Sequence, residues 1–147
     1  LEEMRLLIFE LRPPILVQEG LMAALEARLE AVEGRVGLKT QLVLEGEVEL
    51  SQDIQEGLYR IALEALNNVL KHAQANCVTI FLIQEPQATV LKIIDDGVGF
   101  DINTAQKCGG LGLKGMKEPA EQIGGHLKVK SEPGMGTTIQ VEVKGSQ

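Results

Sequence analysis

Five polar side chains crowd the stretch EALNNVLKHA: Glu64, Asn67, Asn68, Lys71 and His72. Counted from Glu64 the offsets are 3, 4, 7 and 8, a spacing that gathers side chains onto one stripe of an α-helix. The stripe offers one carboxylate, two carboxamides, one ammonium and one imidazole. Hard oxygen donors suit Mg²⁺, which keeps several waters and is held by few protein groups together with phosphates. A polar helix stripe is ordinarily just a solvated face. Two adjacent asparagines in mid-helix argue for more, because Asn competes with the helix backbone for hydrogen bonds.

Three glycine-bearing segments follow. Asp95-Asp96-Gly97-Val98-Gly99-Phe100 comes straight after the apolar run Val90–Ile94. A carboxylate at a strand end can accept the exocyclic amine of adenine, and glycines let backbone approach a ligand closely or take positive φ. The same residues also make ordinary Asp-Gly turns. Gly109-Gly110-Leu111-Gly112-Leu113-Lys114-Gly115-Met116 sits where a helix begins. Free N–H groups and the helix dipole favour phosphate there, and Lys114 adds a point charge. Residues 110–115 also spell G-x-G-x-x-G, but they follow a polar loop (Asn103–Cys108) rather than a strand. About 30 residues remain after them, too few for a doubly wound dinucleotide domain. Gly134-Met135-Gly136-Thr137-Thr138 is a hairpin turn at its simplest, and its functional reading brings the Thr137 hydroxyl to the pocket of Asp95.

Regular elements must position these groups. Apolar periodicity predicts helices over about 1–12, 16–33 and 51–73, the last capped by Ser51 with an acid in its first turn. Its apolar stripe is Ile54, Leu58, Ile61, Ala62, Ala65, Leu66 and Val69. Pro13-Pro14 stops the first helix, and Gly34 and Gly37 end the second. A further helix runs from near Lys114 to Gly124-Gly125. Strands are expected at 38–44, 77–84, 88–94, 126–131 and 137–143, with hairpins across Glu85-Pro86-Gln87 and across Pro133 to Gly136. Short turns between strands predict an α+β two-layer sandwich, a mixed sheet with helices on one face.

Composition narrows the function classes. The 147 residues are 44% hydrophobic and 24% charged, with aromatics at 3%, so the core must rest on Leu, Ile, Val and Ala. A net charge of −7 speaks against sequence-independent nucleic-acid binding, and anions must be held locally. No apolar run approaches the roughly 18 residues of a membrane span, no signal peptide is visible, and no direct membrane contact is expected. Cys77 and Cys108 fit no metal spacing and read as free thiols of a reducing cytoplasm. Position 1 is not Met, which suggests a piece of a longer protein.

EALNNVLKHA, DDGVGFD, GGLGLKGM and GMGTT, in that order, are similar to the four signature boxes of the GHKL ATPase superfamily. That superfamily includes histidine kinases, gyrase-type topoisomerases, Hsp90-type chaperones and mismatch-repair ATPases. The fuller wording, LYRIALEALNNVLKHA with GGLGLKGMKEPAEQIGGHLKVKSEPGMGTT, resembles sensor histidine kinases paired with NarL/LuxR-type response regulators. The resemblance is strong over about residues 50–143. It implies the Bergerat-type ATP-binding fold, with ATP and Mg²⁺ as ligands. LRPPIL followed by GLMAAL resembles the junction between dimerising helices and catalytic domain, so residues 1–14 would be the stub of a dimerisation helix and its linker, and 15–147 the catalytic domain.

The resemblance also implies roles. Asn68 would be the principal Mg²⁺ ligand, with Glu64 at the catalytic carboxylate position. Asn67, Lys71 and His72 would lie near the phosphates. Asp95 would read the adenine amine, assisted by Thr137, in a pocket shaped by Gly97, Gly99 and Phe100. Gly110, Leu111, Gly112, Leu113 and Lys114 would cradle the phosphates, within a mobile lid of about 101–113. The family's phosphoacceptor is a histidine followed by an acid on a dimerising helix. The two histidines here, His72 and His126, match neither feature. The expected partners are therefore a separate acceptor domain of the parent kinase and a response regulator. The expected behaviour is nucleotide binding with little self-phosphorylation. A GHKL-type ATP hydrolase and a non-catalytic nucleotide-dependent binding module remain as alternatives.

Overall fold

The computed structural model describes residues 14–70, 75–98 and 113–144. Pro14 opens helix α1 (Pro14–Glu19), a position where its missing N–H costs nothing. Helix α2 (Leu21–Val36) follows after a break. One continuous helix was expected over 16–33. Instead Gly20 takes φ +95°, and the amide of Leu21 donates to Gln55 Oε1 of a later helix at 2.9 Å. Gly34 does not end α2. Gly37 does, in the left-handed region at φ 71°, its N–H donating to the Glu33 carbonyl.

Strand β1 (Lys39–Glu45) leads to helix α3 (Gln52–Asn68). The Ser51 hydroxyl accepts from the Ile54 amide at 3.3 Å, and Asp53 stands in the first turn. The helix was expected over 51–73, and residues 71–73 lie outside the described residues. Val69 and Leu70 continue it in the wider π geometry, a form often met at functional sites. Strands β2 (Cys77–Glu85) and β3 (Ala88–Asp95) form a hairpin across Pro86-Gln87. Helix α4 (Leu113–Gln122) precedes the last hairpin, β4 (Gly125–Ser131) and β5 (Thr137–Lys144).

The five strands lie in the order β1-β2-β3-β5-β4. β1 runs parallel to β2, which requires a crossover, and α3 supplies it. The other pairs are antiparallel, so the sheet is mixed, as expected. Alternate residues face the helices and are buried: Val78, Ile80 and Leu82 on β2, and Ile139, Val141 and Val143 on β5. Opposite them lies the predicted stripe of α3, in which Leu58, Ile61, Ala62, Ala65, Leu66 and Val69 are all buried.

Helices α3 and α4 pack closely because each has a glycine at the contact. A Cβ on Gly57 would stand 2.6 Å from Ile123 Cγ2, and one on Gly115 would stand 3.3 Å from Glu64 Cδ. Among the described residues no helix is long and apolar enough to cross a membrane.

Candidate functional site

Three chain segments converge at one end of the sheet. β3 ends there at Asp95. The α3 chain arrives there to enter β2, whose Val78 pairs with Asp95. The first turn of α4 reaches the same region through Gly115 against Glu64. The neighbours there are Asp95 with Val78 and Thr137 across the sheet, and Glu64 with Gly115 between the helices.

Asp95 is only 7% exposed. Its Oδ1 accepts from the Gly97 amide at 2.8 Å, and the Thr137 amide also donates to the carboxyl. Burial nonetheless dominates and pushes the Asp95 pKa above its ordinary 3.8; the two amides act against the rise, and the neighbouring Asp96 charge adds to it. Asp96 points the other way, into solvent. Its Oδ1 accepts the amides of Asn76 and Cys77 at 2.9 and 3.0 Å, and these hold its pKa below 3.8. The two adjacent aspartates therefore divide the work: Asp96 ties the start of β2 to the end of β3, and Asp95 is left as a buried acceptor.

Thr137 pairs with Asp95 in the β3–β5 ladder and is 8% exposed. The turn before it presses onto Asp95. Gly136 has φ +75°, and a Cβ there would overlap the Asp95 carbonyl oxygen. The Gly134 amide donates to the Val98 carbonyl, closing this turn over the β3 exit. Gly97 is buried beside Asp95.

On α3, Glu64, Asn67 and Asn68 are all half-buried, which a solvated stripe would not be. Asn68 Nδ2 is buried with no hydrogen-bond partner, the one such side-chain atom among the described residues. A buried amide group left without a partner costs about 1–3 kcal/mol, so packing alone does not account for this side chain. Its oxygen and nitrogen exchange places by a 180° flip of the carboxamide. No group of three or more His, Cys, Asp or Glu among the described residues could hold a metal by itself.

Lys71, His72, Gly99, Phe100, Gly110, Leu111 and Gly112 lie outside the described residues, as does Cys108. Leu113 and Lys114 open α4, and their side chains lie outside them too. Cys77 is a free thiol at the start of β2. Gly115 and Gly136 belong to glycine segments singled out from the sequence, and the structure adds that each leaves room beside a carboxyl residue. One contributor was missed from the sequence. Ser131, on β4, touches the Thr137 hydroxyl at 2.8 Å.

Residues 53–147 match the family described as histidine kinase-, DNA gyrase B-, and HSP90-like ATPase. The chain belongs to this family. It is thus an ATP-binding domain, and over 96% of its length it aligns with sensor histidine kinases. It is 36% identical to the sensor histidine kinase LiaS of Bacillus subtilis and 35% identical to an uncharacterized sensor-like histidine kinase of Chloroflexus aurantiacus. The chain spans 39% and 25% of the length of these two relatives. Among solved structures, the histidine kinase domain of the Erythrobacter litoralis EL346 blue-light activated histidine kinase superposes with a TM-score of 0.66 at 20% identity, covering 84% of this chain and 60% of that one. The mycobacterial sensor histidine kinase MprB gives 0.61 at 24% identity, covering 82% and 91%. The mixed sheet with helices is therefore the fold of histidine kinase ATPase domains.

Proposed function

We propose that this ATPase domain presents the γ-phosphoryl of Mg-ATP to a histidine on a separate acceptor domain of its parent kinase, and that the phosphoryl then passes to a response regulator, of NarL/LuxR type. The observation that carries the reading is Asp95: a carboxyl buried at a strand end, fixed by two backbone amides, with acceptor capacity left for one amine. Adenine brings that amine. Gly97, Gly99 and Phe100 shape the pocket around it, and Thr137 lines the wall.

The residues also fit a magnesium ion. Asn68, whose buried Nδ2 has no partner, carries on the same carboxamide an oxygen of the hard kind that Mg²⁺ takes in combination with phosphate oxygens. Bound there, the metal supplies neutralisation of phosphate charge. This chain's own residues do the rest by positioning. On the family resemblance, Asn67, Lys71 and His72 act near the phosphates. The same resemblance assigns the amides of Gly110, Leu111, Gly112 and Leu113, with Lys114, to cradling them. Glu64, held against Gly115, orients the incoming nucleophile. The acceptor is a histidine other than His72, which belongs to the phosphate-binding box by resemblance, and His126, which is exposed on β4.

A nucleotide titration with and without Mg²⁺ tests the binding half. Asp95→Ala should abolish adenine-nucleotide affinity, and Asn68→Ala should remove its Mg²⁺ dependence. Equal affinities of either variant and wild type would refute that assignment. The transfer half is tested by adding an acceptor-helix domain and following label from γ-labelled ATP. Label on the acceptor histidine supports the kinase reading, whereas release as free phosphate alone supports the hydrolase.

A further inference from the structure

Asp95 is the last residue of β3, and its pairing with Val78 is the last of the β2–β3 ladder, at the end away from the hairpin turn. Strand ends open more readily than strand interiors. The buried acceptor therefore stands where the ladder by itself holds least. Asp96 pins that end. Its Oδ1 accepts the amides of Asn76 and Cys77 at 2.9 and 3.0 Å, and its own amide donates to the Cys77 carbonyl at 3.3 Å. Amide bonds to a charged acceptor are roughly twice as strong as neutral ones. The node is anchored in turn, because the Asn76 carbonyl accepts the Lys39 amide at 3.0 Å, at the start of β1. The peptide that joins Asp96 to Gly97 is planar, and it carries the N–H that reaches Asp95 Oδ1 at 2.8 Å. Fixing Asp96 therefore aims that N–H, and the N–H aims the carboxyl. The closing turn bounds the same residue, since a Cβ on Gly136 would stand 3.4 Å from Asp96 Cα.

We propose that Asp96 is a positioning residue for base recognition, which through Asn76, Cys77 and the Gly97 amide holds the Asp95 carboxyl on the line of the incoming amine. The inference rests on the reading of Asp95 as the base-binding residue. Neighbouring residues of a strand face opposite sides, so Asp96 does this without touching the ligand. A 6-amino purine offers a donor to the Asp95 carboxyl. A 6-oxo purine brings lone pairs and is repelled, so the ratio of the two affinities measures how well the carboxyl is aimed. Without the Asp96 acceptor the amides of Asn76 and Cys77 are left to water and the end of β3 loosens. Asp95 then samples directions that no longer separate the two purines.

The test compares Mg-ADP with Mg-IDP, which differ at the 6-position, in equilibrium titrations of wild type, Asp96→Ala, Asp96→Ser and Asp96→Asn, each first shown to melt cooperatively. The Kd ratio of IDP to ADP should fall about three- to tenfold in Asp96→Ala, the range expected for one misplaced hydrogen bond. Asp96→Asn loses the charge but keeps a carbonyl oxygen for the two amides. Its ratio should stay at the wild-type value even where its melting temperature drops. A serine hydroxyl accepts more weakly, and the ratio in Asp96→Ser should lie between. A merely structural role would weaken both nucleotides by the same factor, so an unchanged ratio in Asp96→Ala overturns the inference. Should the alanine variant not fold, an unchanged ratio in Asp96→Ser overturns it. A ratio in Asp96→Asn as low as that of alanine also does so, because charge rather than hydrogen-bond geometry would then be at work. Wild type that binds ADP and IDP alike sinks the reading of Asp95 itself; wild type that prefers ADP, with a ratio indifferent to residue 96, sinks only this step.

Discussion

At neutral pH the carboxylate of Asp95 sits where its charge is disfavoured, since burial outweighs the amides of Gly97 and Thr137. A carboxyl whose folded pKa lies above its unfolded one favours the fold fully in acid, and that contribution is lost as pH rises through the folded value. At pH 7 Asp95 is therefore a net cost to folding. Asp95→Asn should raise or preserve the melting temperature at pH 7, with the difference closing below about pH 4, while adenine-nucleotide binding disappears; a loss of stability at pH 7 would contradict the burial argument. The same shift fixes the pH dependence of ligand binding. The amine needs an ionised acceptor, so wild-type affinity should fall on acidification at a higher pH than an ordinary carboxylate would give. Asp96 titrates in the opposite sense. Its lowered pKa makes it a stabilising group above 3.8 that is lost only as pH falls through the depressed value. Calorimetry across pH should thus show Asp96→Asn losing stability at pH 7 where Asp95→Asn does not.

The elements meet through glycines, and the distances rank what each can tolerate. At Gly136 a side chain would need positive φ and would overlap backbone of Asp95, so neither partner can yield. Gly136→Ala should destabilise by about 2 kcal/mol or more, combining left-handed strain with overpacking, and a chemical-denaturation midpoint checks it. Gly115 differs. Its neighbour at 3.3 Å is the end of a flexible Glu64 side chain, which can move. Alanine is also preferred over glycine within a helix by about 1 kcal/mol. Gly115→Ala should therefore keep or gain stability and keep nucleotide affinity, yet slow phosphoryl transfer by displacing Glu64; a Michaelis analysis separates kcat from KM. Which features were legible in the sequence follows the same division between local and distant causes. The Ser51 cap and the buried stripe of α3 are properties of consecutive residues, and both were readable. The break at Gly20 was not, because the apolar period runs through it and the released amide is taken by Gln55, 34 residues away. Ser131 escaped notice for the same reason: it reads as an ordinary strand residue until the register sets it beside Thr137.

At the scale of the molecule, the proposed ligand binding must show itself as stability, because the groups assigned to the nucleotide are unsatisfied or disfavoured in the chain by itself. The buried Asn68 Nδ2 has no partner, and burial disfavours the Asp95 charge. A ligand that binds only the folded chain stabilises it by RT ln(1 + [L]/Kd), about 2.7 kcal/mol at a hundredfold excess over Kd. For a domain of this size that corresponds to a rise of roughly 5–10 °C in melting temperature. Thermal melts with ADP should therefore show such a rise with Mg²⁺ present and a smaller one in chelator. The overall charge of −7 makes the metal matter more, since an uncomplexed nucleotide is repelled by the acidic chain as a whole. Asn68→Ala should bring the magnesium arm down to the chelator arm, while Asp95→Asn should flatten both. A shift of equal size in both arms for wild type would mean that the phosphates are held by protein cations and amides alone, and Asn68 would lose its assigned place.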